Sequence, residues 1–144
     1  MNGDDTKSVL FVCVGNTCRS QMAAAIINDR FSGRWLAVSG GITIEGERDP
    51  RTKDVLLEIG ITIEMPPATN IKTYAGRKFD LIVTLADKVR EPVAKLFPST
   101  KIHHQHIEDP FRIEDIHVKE LDLTRHRQAR DEIIEKVISV IENC

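Results

Sequence analysis

Ser8-Val9-Leu10-Phe11-Val12-Cys13-Val14-Gly15-Asn16-Thr17-Cys18-Arg19-Ser20 begins as an almost wholly apolar run and ends on small, polar and charged residues. Its first part, Ser8 to Val14, is short and rich in Val and Phe, which predicts a strand buried on both faces, as in parallel sheets. Arg19 to Phe31 follows as a helix whose apolar stripe is Met22, Ala23, Ile26 and Ile27. The stretch therefore reads as buried strand, tight loop and helix N-terminus.

The alternation continues outward from it. Trp35 to Ser39 predicts a second strand, ended by Gly40 and Gly41, with Trp35 in the core. Asp49-Pro50 has the form of an N-cap followed by proline in the first helical position, opening a helix to about Ile59 with Gly60 as its stop. Asp80 to Leu85 predicts a third buried strand, and Asp87 to Phe97 a helix broken or kinked near Pro92. Lys101 to Ile107 alternates polar and apolar residues and predicts an edge strand. A last helix spans about Leu121 to Ile141, with Ile133, Ile134, Val137, Ile138 and Ile141 on one side. Alternating strands and helices with no linker or repeat predict an α/β fold, a doubly wound parallel sheet in a single domain over residues 1–144. Ligands of such sheets bind beyond the carboxyl ends of the strands, where the loop from Cys13 onward falls.

Composition narrows the function. A formal net charge of −2 gives no electrostatic footprint for nucleic acid. No apolar run is long enough to span a membrane, and Met1 to Lys7 lacks the hydrophobic core of a signal peptide. Three cysteines, two of them in one loop, do not make a disulfide framework, so a reducing, cytoplasmic setting is expected.

The loop itself carries chemistry. Peptide N–H groups at a helix N-terminus lack intrahelical partners and lie at the positive end of the dipole, so they attract an anion. Val14, Gly15, Asn16, Thr17, Cys18, Arg19 and Ser20 are the candidate oxyanion binders, with Gly15 and Asn16 best able to take the positive φ a curled loop needs. The same field favours the thiolate of Cys13, the candidate nucleophile. Arg19 can offer two parallel N–H groups to two oxygens, and Ser20 can donate to the sulfur. Asp109, in Asp109-Pro110 after the fourth strand, is the candidate general acid; an aspartate before proline is also an ordinary turn opener.

FVCVGNTCRSQMA resembles the active-site loop of the low-molecular-weight protein tyrosine phosphatase family, whose pattern is C-x-G-N-x-C-R-S, and SQMA is closer to that family's thioredoxin-coupled arsenate reductase branch. The resemblance extends through VSGGI, DLIVTL, EDPF and ARDEI, nearly the whole chain. It implies a four-stranded parallel sheet, Cys13 as nucleophile, Arg19 and loop amides as oxyanion binders, Asp109 as acid, and Asn16, Ser20 and Ser39 as shaping partners.

That resemblance points to a phosphomonoester phosphatase working through a phosphocysteine, with protein phosphotyrosine as one substrate class. The alternative it admits is an arsenate reductase drawing on thioredoxin, glutaredoxin or a small thiol, chemistry that needs a reductant supplied where phosphatase chemistry is complete in the residues present. The reductase branch carries two further cysteines after the third strand, whereas Ala86 to Pro98 has none. Ala24 stands where that branch often has a potassium-binding glutamate, and Thr62 where an aspartate is common. Tyrosine-specific relatives wall the pocket with aromatics; here Ile42 to Asp49 has none, and Asp109-Pro110 is followed by Phe111 and Arg112. Cys18 or Cys144 could supply a second thiol, although Cys18 is also a protective disulfide partner for Cys13 and Cys144 a simple tail residue. A third possibility is an idle oxyanion-binding module, but binding alone requires neither thiol nor acid. No cofactor or metal is called for. His103, His104 and His106 read as an edge-strand face rather than a zinc site, and Arg125, His126, Arg127 and Arg130 as the solvated face of the last helix.

Overall fold

The computed structural model describes residues 6–16, 18–43, 49–110 and 123–144. Phe111 and Arg112 lie outside these, as does the predicted start of the last helix at Leu121, and Thr17 does too. The elements are β1 (Lys7–Cys13), α1 (Arg19–Arg30), β2 (Trp35–Gly41), α2 (Arg51–Leu57), a 3-10 turn at Ile71–Tyr74, β3 (Leu81–Thr84), a second 3-10 turn at Asp87–Val89, α3 (Arg90–Leu96), β4 (Ile102–His104) and α4 (Thr124–Glu142).

All four strands are parallel, in the order β2-β1-β3-β4. Chain order turns back on either side of β1 and β3, so the loop after Cys13 leaves the sheet at its switch point. The period of two along β1 divides the core. Val9, Phe11 and Cys13 join the cluster under α1, α2 and α4, while Leu10 and Val12 join Phe79, Ile82, Val89, Val93 and Phe97 on the other face. Each large apolar side chain buried this way contributes about 1.5–3 kcal/mol. Met22, Ala23, Ile26 and Ile27 of α1 are fully buried, as their spacing predicts, and Trp35 is buried.

Three boundaries differ from the sequence expectation. The helix after Asp87 does not break at Pro92; a 3-10 turn passes into α3 at Arg90, and Pro92 falls in the first helical turn, where a missing N–H costs nothing. The helix after Asp49 begins at Arg51, with Pro50 (φ −64) just ahead of it, and ends at Leu57 before Gly60 turns the chain at φ +82. β4 is the edge strand, as expected, but only three residues long, so His106 lies beyond it.

Candidate active site

Cys13 ends β1 and Cys18 caps α1, so the intervening loop must reverse within a few residues. Asn16 does this with φ +54, the one non-glycine residue at positive φ among those described. Outside partners hold the loop carbonyls. Val14 O accepts from Ile42 N at 2.9 Å and Thr43 N at 3.1 Å, and Cys18 O accepts from Met22 N at 2.8 Å. Asn16 O accepts from the buried Gln21 Nε2 at 2.8 Å. In a trans peptide the N–H points opposite the preceding C=O, so Gly15 N–H points away from Ile42 and Thr43.

The sulfur of Cys13 is buried and lies 3.0 Å from Ser20 Oγ, which lies 2.8 Å from Asn16 Oδ1. Ser20 has one proton for these two neighbours. If it donates to Asn16 Oδ1, Cys13 must be the donor to Ser20, which is the thiol state. With the Asn16 amide turned over, its N–H donates to Ser20 and the hydroxyl proton is free for the sulfur, which is what a thiolate needs. In the first orientation Asn16 Nδ2 is buried without a partner.

Arg19 is buried at the head of α1, its Nη1 donating to Ile107 O at 3.1 Å and its Nη2 3.5 Å from Asp109 Oδ2. The segment after β4 thus fixes the guanidinium plane and brings Asp109, half exposed, to the loop that holds Cys13. Cys13, Arg19, Ser20, Asn16 and Asp109 are gathered at one end of the sheet. Ser39 lies beside Phe11 in the β1–β2 register; its carbonyl accepts from Tyr74 Oη at 2.9 Å, and among the described residues its hydroxyl makes no hydrogen bond to the loop.

Gln21, the Ile107 carbonyl and Gly41 support the site without having been marked by the sequence pattern. A Cβ on Gly41 would lie 2.7 Å from Val14 O and 2.9 Å from Asn16 N, so a side chain there collides with loop backbone. The Gly40-Gly41 pair was a signal for this close approach, although it also reads simply as a strand end.

The basic run on α4 requires correction. His126 is fully buried, its Nε2 2.6 Å from Asp49 Oδ2, and Arg130 is nearly buried, its Nη1 2.7 Å from Glu58 Oε1. These side chains tie α4 to the start and end of α2 rather than forming a solvated face. Arg127 and Arg130 hold the Glu58 carboxyl down at about 2. His104 bridges Thr84 Oγ1 (2.7 Å) and Asp87 Oδ1 (2.8 Å), so it fastens β4 to the turn after β3.

The three cysteines are unpaired. Cys144 lies near Lys101 Nζ at 3.7 Å and lines a cleft with Arg34 and Trp35, at the edge where the strands begin. Through the strand register Lys101 is level with Val9, about 13 Å back along the sheet from Cys13 and about 10 Å across it.

Residues 8–143 match the family described as low molecular weight phosphotyrosine protein phosphatase. The chain belongs to that family. Among its relatives, arsenate reductase 2 of Staphylococcus epidermidis is 34% identical over 106 residues, covering 74% of this chain and 80% of that one. The arsenate reductase of Bacillus subtilis is 30% identical over 129 residues, 90% and 91% of the two chains. A low molecular weight protein tyrosine phosphatase from T. tengcongensis superimposes with TM-score 0.78 at 26% identity, covering 96% of this chain and all of that one (100%). An arsenate reductase from Archaeoglobus fulgidus gives 0.70 at 31% identity over 93% and 98%. The low molecular weight phosphatase family includes cysteine-dependent enzymes of both kinds, and these likenesses favour neither activity over the other. Phosphate esters and arsenate are both fitting substrates, and among the described residues no helix is long and apolar enough to cross a membrane.

Proposed function

We propose that this chain is a phosphomonoester phosphatase, acting as one domain in a reducing, cytoplasmic setting, with Cys13 as nucleophile. The observation that carries this reading is the meeting of Arg19 with Asp109 at 3.5 Å beside the loop that holds Cys13. Nucleophile, oxyanion binder and acid are then all supplied by the chain.

In the first step the Cys13 thiolate attacks phosphorus in line; an S–P bond forms, the P–O bond to the leaving group breaks, and Asp109 protonates the departing oxygen. Arg19 and the loop amides, Gly15 N–H among them, bind the equatorial oxygens as charge shifts onto them. To do so Arg19 turns donors from Asp109 toward substrate, which frees the carboxyl to meet the leaving group. In the second step Asp109 takes a proton from water, the water oxygen attacks phosphorus, and the electron pair of the S–P bond returns to Cys13 as thiolate, to which the Ser20 hydroxyl donates a hydrogen bond.

A second reading is arsenate reduction, the activity named for relatives at 34% and 30% identity. Arsenate has the shape and charge of phosphate, but reducing it takes two electrons from a further thiol. Cys18 is buried and Cys144 lies at the opposite edge of the sheet, so that thiol would come from thioredoxin, glutaredoxin or a small thiol. The idle-module reading leaves Asp109 without a task.

The purified chain is to be assayed in parallel on p-nitrophenyl phosphate and on arsenate with each thiol donor. Phosphate release abolished by Cys13→Ser, with oxyanion binding kept, is the expected result. Turnover confined to the arsenate arm, and unaffected by Cys144→Ser, would replace the first reading with the second; turnover in neither arm would remove both.

A further inference from the structure

Three buried side chains from separate elements converge behind the active-site loop, and phosphatase and reductase chemistry use none of them as a group. Cys18 caps α1, Asp49 precedes α2 and His126 lies in the first turn of α4. Their Sγ, carboxylate oxygen and ring nitrogen all lie within 4.8 Å of one another. Their exposures are 2%, 3% and 0%, so water competes little for them.

A second observation comes from Thr52, which is fully buried and faces the Cys18 thiol, while its Oγ1 has no well-formed hydrogen bond. A hydroxyl left unmet in a protein interior is destabilising. As a purely structural cluster the arrangement leaves the buried Thr52 hydroxyl without a well-placed partner, and a cation held by its three neighbours would supply one.

The donor set indicates which cation. Thiolate and imidazole suit zinc and its neighbours, whereas magnesium and calcium take oxygen ligands. We propose that Cys18, Asp49 and His126 form a binding site for a divalent cation of the zinc class, with Thr52 or water as the fourth donor. On uptake the Cys18 S–H proton leaves to solvent and an S–metal bond forms. His126 gives up its 2.6 Å contact with Asp49 Oδ2 and turns the Nε2 lone pair to the cation, its ring proton residing on Nδ1, which has no other partner. Arg51 Nε keeps its 3.0 Å contact with Asp49 Oδ1 and holds that carboxylate in place. The bound cation fastens the active-site loop to α2 and α4 and keeps the Cys18 sulfur from pairing with Cys13. Because a proton is released, affinity weakens as pH falls.

The test uses the full chain carrying Cys13→Ser and Cys144→Ser, in which Cys18 is the sole thiol. Cobalt(II) is expected to give a thiolate-to-metal absorption at one equivalent, which zinc bleaches, and zinc but not magnesium is expected to raise Tm. His126→Gln in this background should weaken zinc binding by more than the roughly 10- to 100-fold that losing an outer partner costs a metal site. Asp49→Asn serves as the second variant should His126→Gln not fold. No thiolate absorption in the parent, or affinity unchanged in the folded ligand variant, would overturn the site.

Discussion

Arg19 and Asp109 face each other at 3.5 Å, the guanidinium buried and the carboxylate half exposed. In the proposed reaction, this contact is what brings Asp109 within reach of an ester oxygen projecting from an anion on Arg19. With an aryl phosphate, Asp109→Asn is expected to lower kcat by about 10² to 10⁴. Affinity for a phosphate analogue such as tungstate should remain or improve, since one negative charge near the pocket is removed. Equal rates for both proteins would take Asp109 out of the reaction.

Ser20→Ala removes the hydroxyl 3.0 Å from the Cys13 sulfur. A hydrogen bond to a charged group is worth about 1.5–3 kcal/mol, so turnover should fall roughly 10- to 100-fold. The loss is expected in the second step, where the sulfur departs as thiolate. Rapid-quench assays should therefore show a burst of released alcohol and a trapped phosphocysteine. A slow step with no burst would place the hydroxyl's effect before the intermediate.

At Gly41 a methyl group would meet loop backbone at 2.7–3.0 Å, and backbone cannot swing aside as a side chain can. Gly41→Ala should weaken phosphate-analogue binding at least tenfold while the sheet persists, with a stability loss of about 1–3 kcal/mol. Gly40→Ala meets the Ile71 side chain instead and is the matched control. Paired calorimetry and denaturant curves would check both.

Burial pushes the Asp49 carboxyl up, but hydrogen bonds from His126 and Arg51 outweigh this and hold it below its ordinary value. A depressed folded value means that the unfolded chain binds more protons at low pH. The contribution to stability is present above the unfolded value of about 3.9 and is lost as pH falls through the folded one. Asp49→Asn should flatten this acid limb in urea unfolding between about pH 5 and 2. It should also cost about 3–5 kcal/mol at neutral pH, because His126 and Arg51 lose their buried partner. An acid limb with unchanged slope would assign it to other carboxylates.

The strand from Ser8, the loop and α1 were legible because their determinants are local: an apolar run, a Gly-Asn pair and a helical stripe. Alternation pointed to a parallel α/β sheet, but its strand order, β2-β1-β3-β4, was legible only in the structure. Asp49 and His126 were not legible. An aspartate before proline has the form of a helix start, and a histidine between arginines has the form of a wet surface. Only the packing of α4 on α1 and α2 brings the two together at 2.6 Å, and no local pattern encodes that meeting. The Ile107 carbonyl that orients Arg19 was hidden for the same reason, since a backbone oxygen has no sequence signature.

The single hydroxyl proton of Ser20 gives the loop a memory of its own charge. Whenever the thiol loses or regains its proton, the direction of the Cys13–Ser20–Asn16 chain reverses, and the Asn16 side-chain amide turns over with it. The protonation state of Cys13 would thus be written into the orientation of one asparagine, where nitrogen-labelled spectroscopy can read it without touching the sulfur.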